Sequence, residues 1–437
     1  MRKIYSFLLI LAIIKNAYAA KLDITADNYF SLKSFSNLIN ENKNYNLTYY
    51  SNNSAISFTL KNINLEQTDN SWMDVGLGFR FVSVEESSKT LDSIYLRDLY
   101  DYYGKSSYIY ADKAYVKIYN FAYDGVIATL GKQPYTVASG LVLSDNFRGL
   151  DGARFEIIDK YYMDSLDLFY FRSNNFFSGS NAPENIYGIS ANKSFGDGIW
   201  QIYYVKEKNS DQTKDISFNS KETNKNFFGV SYYLDKNNIT YSSEFALQKG
   251  NSKDLSNNTI NHKAYALNLK AGWKMNIPKF GKTNARFNYI KSSGNSSSSF
   301  KENKAFYSPF SKLYEGYERT GLGEIYKASV FDASKTSDTL NGLPEGLSGI
   351  TAAGMGIDIL KSKGVISIDY FGYKATQSTS LNKGISLGTE LDIKYSLKLG
   401  EKASFYVVYA TFSPKSALNA QGIKSTKLFS INVKAKF

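Results

Sequence analysis

From Phe429 to the end of the chain, odd positions are apolar (Phe429, Ile431, Val433, Ala435, Phe437) and even positions polar (Ser430, Asn432, Lys434, Lys436). Successive side chains of a strand point to opposite faces, so this stretch predicts a strand with one oily and one wet side. The same period recurs upstream. In 263–274, Tyr265, Leu267, Leu269, Ala271 and Trp273 share one face, and Asn268, Lys270 and Lys274 lie on the other. In 387–398, Leu387, Leu391, Ile393, Tyr395 and Leu397 oppose Glu390, Asp392, Lys394 and Lys398. Segments of this character fall near 43–50, 54–62, 72–84, 111–120, 125–133, 152–158, 165–172, 185–193 and 199–207. They continue near 225–234, 239–248, 263–274, 283–291, 350–360, 364–373, 387–398, 403–412 and 426–437, eighteen in all. Those at 54–62 and 185–193 are weakly patterned. Leu22 to Asn42 reads as a polar arm or plug-like start.

The gaps carry a second signal. Counted back from Phe437, Ser413–Ser425 is long, Leu399–Lys402 short, Lys374–Ser386 long and Lys361–Lys363 short. Ser292–Gly349 is then very long, Met275–Lys282 short, Lys249–His262 long and Asp235–Asn238 short. A half-buried strand of a soluble sandwich would fit the last segment alone, but a sandwich has no reason to alternate its loop lengths. Outer-membrane barrels do so, with short periplasmic turns and long external loops. The expected fold is therefore all-β: one transmembrane antiparallel β-barrel of about 18 strands (16–18). The last strand is expected to pair with 403–412 and with the strand near 43–50, which leaves no open edge. Its aromatic end, Phe437, is expected in the lower girdle and as the signal read by the barrel assembly machinery.

Residues 1–19 read as an export signal, with basic Arg2 and Lys3, an apolar run from Ile4 to Ile14, and Ala17-Tyr18-Ala19 as a small-x-small cleavage site. The barrel domain is then 20–437, in the bacterial outer membrane. No later segment approaches the length of a membrane helix. A mean hydropathy of −0.34 is compatible with a barrel, in which polar lumen residues dilute the lipid-facing ones. With no Cys there is no disulfide framework, thiolate metal site or catalytic thiol. The lone His262 sits beside Asn261 and Lys263 without a nucleophile motif, so no catalytic residue, metal or cofactor is expected. The net charge of +12 comes from 44 Lys and eight Arg spread along the chain, which points to solvated loops and lumen rather than to nucleic acid. The expected partners are outer-membrane lipid and small polar solutes.

Two pairs of blocks resemble a known family. Leu130-Gly131-Lys132-Gln133 followed by Leu150-Asp151-Gly152-Ala153-Arg154, and Leu387-Gly388-Thr389-Glu390-Leu391-Asp392 followed by Tyr409 to Pro414, are similar to paired blocks of alginate-export-type outer-membrane proteins and related porins. The resemblance covers about four strands. It implies a large single-chain barrel that passes polar or anionic solutes. Lys132 stands where that family usually has Arg, and a conduit for polyuronate would be expected to use Arg, whose planar fork grips carboxylates.

Function in such a barrel lies on the lumen face. By alternation the pore-lining candidates are Arg286, Lys270, Lys274, Glu390, Asp392, Lys394, Lys398, Lys434 and Lys436. Rings of Lys and Arg favour anions and rings of Asp and Glu favour cations, and the balance here leans basic. Asp151, Arg154 and Glu390 are expected as paired charges of the wall, with Glu390 and Asp392 near Lys394 or Arg154. The Pro134–Leu150 connection holds Asp145 and Arg148, either as a constriction folded inward or on a solvated loop. The long 292–349 segment is a lid or a surface loop, with Glu324–Phe331 a possible extra strand. The resulting expectation is a passive, anion-leaning channel. The rivals are an export conduit for an acidic polysaccharide such as alginate, or an occluded surface adhesin or structural barrel.

Overall fold

In a computed structural model, eighteen long strands follow one another, each antiparallel to the next, and the last returns to the first. They are β1 (Lys21–Asn40), β2 (Lys43–Asn64), β3 (Trp72–Glu86), β4 (Ser107–Tyr119), β5 (Val126–Gln133), β6 (Leu150–Ile157), β7 (Ser165–Asn174), β8 (Pro183–Phe195) and β9 (Gly198–Asn209). The second half comprises β10 (Phe218–Lys236), β11 (Ile239–Asp254), β12 (Thr259–Ile277), β13 (Gly281–Ser292), β14 (Leu347–Leu360), β15 (Gly364–Ser378), β16 (Ser386–Leu399), β17 (Ala403–Pro414) and β18 (Thr426–Lys436). The residues described are 20–40, 43–65, 70–86, 107–159, 161–174, 183–209, 213–215, 218–254, 256–295, 301–308, 310–315, 318–330, 343, 346–362, 364–378, 385–419 and 424–437. The expected export signal, 1–19, lies outside them.

Closure runs from Asp27 opposite Lys436 to Ser36 opposite Lys427. It is finished by Ala26 and Phe437, which exchange two backbone hydrogen bonds of 3.0 and 2.8 Å. The closing partner of β18 is thus 21–40, and not the segment near 43–50. The strand count matches the expectation through two compensating differences. Leu22 to Asn42 is mostly strand β1, and 43–50 and 54–62 are one continuous strand, β2. One polar cluster accounts for both. Asn28 interrupts the outward row Leu22, Ile24, Ala26, Phe30, Leu32 of β1. Its amide donates to Asn52 (3.0 Å) and Ser54 (2.7 Å), which interrupt the matching row of β2 between Tyr50 and Ile56. Each polar group finds a partner across the ladder, so the strands continue where the apolar alternation lapses.

The wall is inverted relative to a soluble protein. Trp273 is 58% exposed and Met355 66%, whereas Glu390 and Asn432 on the inner face are 1% exposed. Turns at the rim that carries Lys21 and Phe437 are short. Two of them, Gly196-Asp197 and Asn237-Asn238, are two-residue connections with Gly196 at φ 61° and Asn237 at φ 53°, the left-handed geometry that suits twisted hairpins. At the opposite rim most connections are longer, but β11 and β12 extend to Asp254 and Thr259 and shorten the expected Lys249–His262 loop. Thr213–Asp215 and Glu302–Asn303 add two short ladders to the same sheet. The apolar core lies inside the barrel, where the 134–149 connection and the described residues of 293–330 fold against the inner wall. Val137, Leu143, Phe306, Ile325 and Tyr326 are fully buried there.

Candidate functional site

These two connections meet inside the barrel. Pro134 has no N–H to extend the ladder of β5, and the chain leaves the wall there. The 134–149 loop closes on itself through the Thr136–Ser144 bridge, and Asp145 N–H donates to the Tyr135 carbonyl at 2.9 Å. One wall carboxylate, Glu244 on β11, holds the loop. It accepts the Ser139 N–H at 2.8 Å and the Ser139 hydroxyl, while Tyr203 of β9 donates to its other oxygen at 2.6 Å. On the other flank, the Tyr135 hydroxyl reaches Asp167 at 3.4 Å.

The second loop packs onto the first. Ser144 N–H donates to the Phe310 carbonyl (2.6 Å), and Lys312 N–H to that of Gly140 (2.8 Å). The Asn146 amide donates to the Ser311 carbonyl (2.8 Å) and accepts Leu313 N–H (2.9 Å). Farther along, Leu322 and Ala328 pair, and the turn between them presents successive N–H groups to Glu390 of β16. Glu324, Ile325 and Tyr326 donate to its carboxylate at 2.7, 2.6 and 3.0 Å, joined by the Tyr373 hydroxyl at 2.9 Å. Asp392 accepts Glu324 N–H at 3.0 Å. Gly323 sits at φ 85°, and a Cβ there would crowd the Tyr373 hydroxyl and the Glu390 carboxylate. No barrel strand forms over 324–330, so the extra strand expected at Glu324–Phe331 is absent from its described residues.

Glu390 and Asp392 therefore face the lumen but bind loop backbone rather than Lys394 or Arg154. A fully buried carboxylate needs several donors, and three loop N–H groups with the Tyr373 hydroxyl supply them. Lys394 instead lies 4.3 Å above the Tyr406 ring. Arg154 faces inward and is held by Asp167 (2.7 Å) and Glu156 (3.0 Å), with its guanidinium 4.9 Å from the Tyr135 ring. The structure does not pair it with Asp151. Three positions apart on one strand, those two side chains lie on opposite faces, and Asp151 meets Lys132 on the outer wall at 4.0 Å. Arg286 bridges Asp358 and Asp369 at 2.8 and 2.9 Å. Lys270 and Lys312 line a cavity of about 290 Å³ between the two loops. Lys274, 3.8 Å from Asp235, lines one of about 540 Å³ near the short-turn rim. Lys398 lies in register with Ser404 near the same rim.

Lys434 belongs to a third cavity, of about 460 Å³, beneath the loops. Its charged lining comprises Arg80, Arg319, Lys327, Lys434 and Lys436 against Asp27 and Glu324. Arg80 was not among the sequence candidates. It donates to Asn53 (2.7 Å) and Asp112 (3.3 Å), lies 3.6 Å from Asp27, and stacks its guanidinium 4.9 Å from the Phe147 ring of the 134–149 loop. Its inward position was readable from the row Asp74, Gly76, Gly78, Arg80, Val82. Glu244 was likewise legible from its place opposite Phe245 and Leu247, but its loop partner Ser139 was not. Asp145 and Arg148 lie in one turn, with Arg148 N–H donating to the Asp145 carbonyl at 2.8 Å. Burial pushes the Asp145 carboxyl up to about 6, against the backbone N–H bonds it accepts.

No family model matches the chain, including any for the alginate-export type, and no curated protein matches it in sequence. Solved structures do match in fold. OccK5 (OpdH) of Pseudomonas aeruginosa superposes with a TM-score of 0.54 at 8% identity, over 95% of this chain and 98% of that one. OccAB1 of Acinetobacter baumannii gives 0.57 at 8% identity, over 95% and 96%. The outer membrane protein opdK of Pseudomonas aeruginosa gives 0.53 at 9%, over 95% and 98%. At such identities the likeness is one of architecture. It extends over nearly the whole chain.

Proposed function

We propose that this chain is an outer-membrane channel through which small polar solutes pass passively, with a preference for anions. The observation that carries the reading is the cavity beneath the loops. Five basic side chains line it against two acidic ones, and of these Asp27 already faces Arg80 at 3.6 Å. Lys434 and Lys436 have no carboxylate within ion-pair distance among the described residues. A ring of cations raises the local concentration of anions and repels cations. The apolar outer wall and the fold shared with solved outer-membrane barrels support the location, with 1–19 as the export signal and Phe437 as the mark for assembly.

Planar-bilayer conductance with a salt gradient tests this. A reversal potential of anion-selective sign is expected, and Lys434→Glu with Lys436→Glu is expected to shift it towards cations. A cation-selective wild type would overturn the preference. The finer alternative, an export conduit for an acidic polysaccharide, shares the basic cavity and requires block by uronate oligomers at low concentration. The complete burial of Phe306, Ile325 and Tyr326 favours a second reading, an occluded structural barrel, and the absence of any current would select it.

A further inference from the structure

The outer wall carries a belt of lysines that the channel reading does not use. Lys206 on β9 lies opposite Asn226 on β10, Asn226 opposite Lys249 on β11, and Lys249 opposite Lys263 on β12. On β13, Lys291 lies opposite Leu267, four residues from Lys263 towards the short-turn rim, and opposite Thr351, which in turn faces Lys374 on β15. Lys291 joins the two rows, its ammonium 6.0 Å from the Tyr265 ring. All of these residues share a face with exposed apolar side chains such as Phe228, Leu247 and Met355, so they project outward and not into the lumen.

Immediately towards the short-turn rim runs the parallel row Tyr204, Phe228, Leu247, Tyr265. The Tyr204 hydroxyl donates to Asn226 at 2.7 Å. On β9, β11 and β12 the lysines Lys206, Lys249 and Lys263 each stand two residues beyond this row towards the long-loop rim, so apolar wall, largely aromatic row and ammonium groups follow in the order of hydrocarbon, interface and phosphate in a bilayer leaflet. Lysine stems can lie along the rings while the charges reach the headgroups.

Two features separate this belt from ordinary solvated lysines. Lys249 and Lys263 are directly opposed, and like charges so placed destabilise a ladder unless an anion lies between them. Moreover, none of Lys206, Lys249, Lys263, Lys291 and Lys374 has an ion-pair partner among the described residues, whereas Lys253 at the same rim pairs with Glu222 and two outward lysines near the short-turn rim are paired. There Lys193 sits 3.9 Å from Asp164, and Lys236 pairs with Asp197. We infer that the belt on β9–β15 binds the phosphates of anionic lipids in the leaflet around the long-loop rim. Those phosphates supply the missing counter-charge and fix the depth of the barrel.

The inference rests on the wall being embedded in a membrane. The full barrel, folded in mixed micelles, would be presented with phosphatidic acid or phosphatidylcholine, and retained lipid counted by native mass spectrometry. Preferential retention of phosphatidic acid is expected. Neutralising Lys249, Lys263 and Lys291 to Gln should weaken it about fivefold per lysine. The corresponding Lys→Arg triple variant should retain it, as should Lys193→Gln with Lys236→Gln. Equal retention of both lipids by the wild type, or retention insensitive to ionic strength, would overturn the inference without reference to any variant. Conductance of the same preparation keeps the two readings apart. A conducting barrel without lipid preference sinks the belt alone, and a lipid-binding barrel without current supports the belt and sinks the channel.

Discussion

The two loops that enter the lumen are held in the same way but not equally. The 134–149 loop is tied to the wall by Glu244 through one N–H and one hydroxyl, both from Ser139. The loop segment around 324–326 is tied by Glu390 through three consecutive N–H groups, with Tyr373 and Asp392 beside it. Backbone N–H groups that leave water must find acceptors, and a buried carboxylate must find donors, so each satisfies the other. Glu244 and Glu390 therefore act as loop anchors, while Lys434 and Lys436 line the cavity. Two acids can thus face inward and still be taken up by the loops.

The strongest way to break this comparison is Glu390→Ala. It removes the acceptor of the buried Ile325 and Tyr326 N–H groups, while Glu324 N–H keeps Asp392, a loss on the order of 2–4 kcal/mol in loop docking. The expected result is a folded barrel with larger and noisier unitary conductance. A trace indistinguishable from wild type would show that the second loop does not depend on Glu390. Gly323→Ala should act in the same direction but less, by about 1–2 kcal/mol, because it forces a Cβ into a left-handed position beside that carboxylate. Recovery of normal conductance noise by the variant would contradict a tight turn there. Glu244→Gln should be milder, about 1 kcal/mol, since the amide oxygen can still accept from Ser139. Limited proteolysis within 134–149 should increase only slightly, and a larger increase than for Glu390→Ala would reverse the ranking of the loops.

The smallest effect is expected from pH. The Asp145 carboxyl, pushed up to about 6 by burial, binds its proton more tightly in the docked loop than in an undocked one. Docking is therefore favoured below the usual carboxylate range and weakens as pH rises from about 4 through about 6. Over the same window Asp145 gains charge, so anion selectivity should fall modestly between pH 5 and pH 7.5. Asp145→Asn should remove that component, and an unchanged pH profile in the variant would assign it to another group.

Much of the wall was readable because a strand in a barrel faces two solvents, and its side chains must alternate between them. Phe429 to Phe437, 263–274 and 387–398 show this without any help from neighbours. β1 escaped because Asn28 breaks the alternation at a position where its partners, Asn52 and Ser54, lie on another strand. The same separation hid the roles of Asp151 and Arg154, whose partners Lys132 and Asp167 come from the neighbouring strands β5 and β7.

The lumen charges Lys270, Lys434, Glu390 and Asp392 could be assigned to a face from parity alone, but not to a task. Whether a carboxylate draws ions or holds a loop depends on what reaches it. Ser139 lies 105 residues from Glu244, and Ile325 lies 65 from Glu390. Periodicity is a local property and determined the class of fold, the sidedness of each strand and the rhythm of the loops. The direction in which the 134–149 loop and the segment around 301–330 turned was decided only in the closed barrel, because only closure brings together the donors and acceptors that must leave water in pairs.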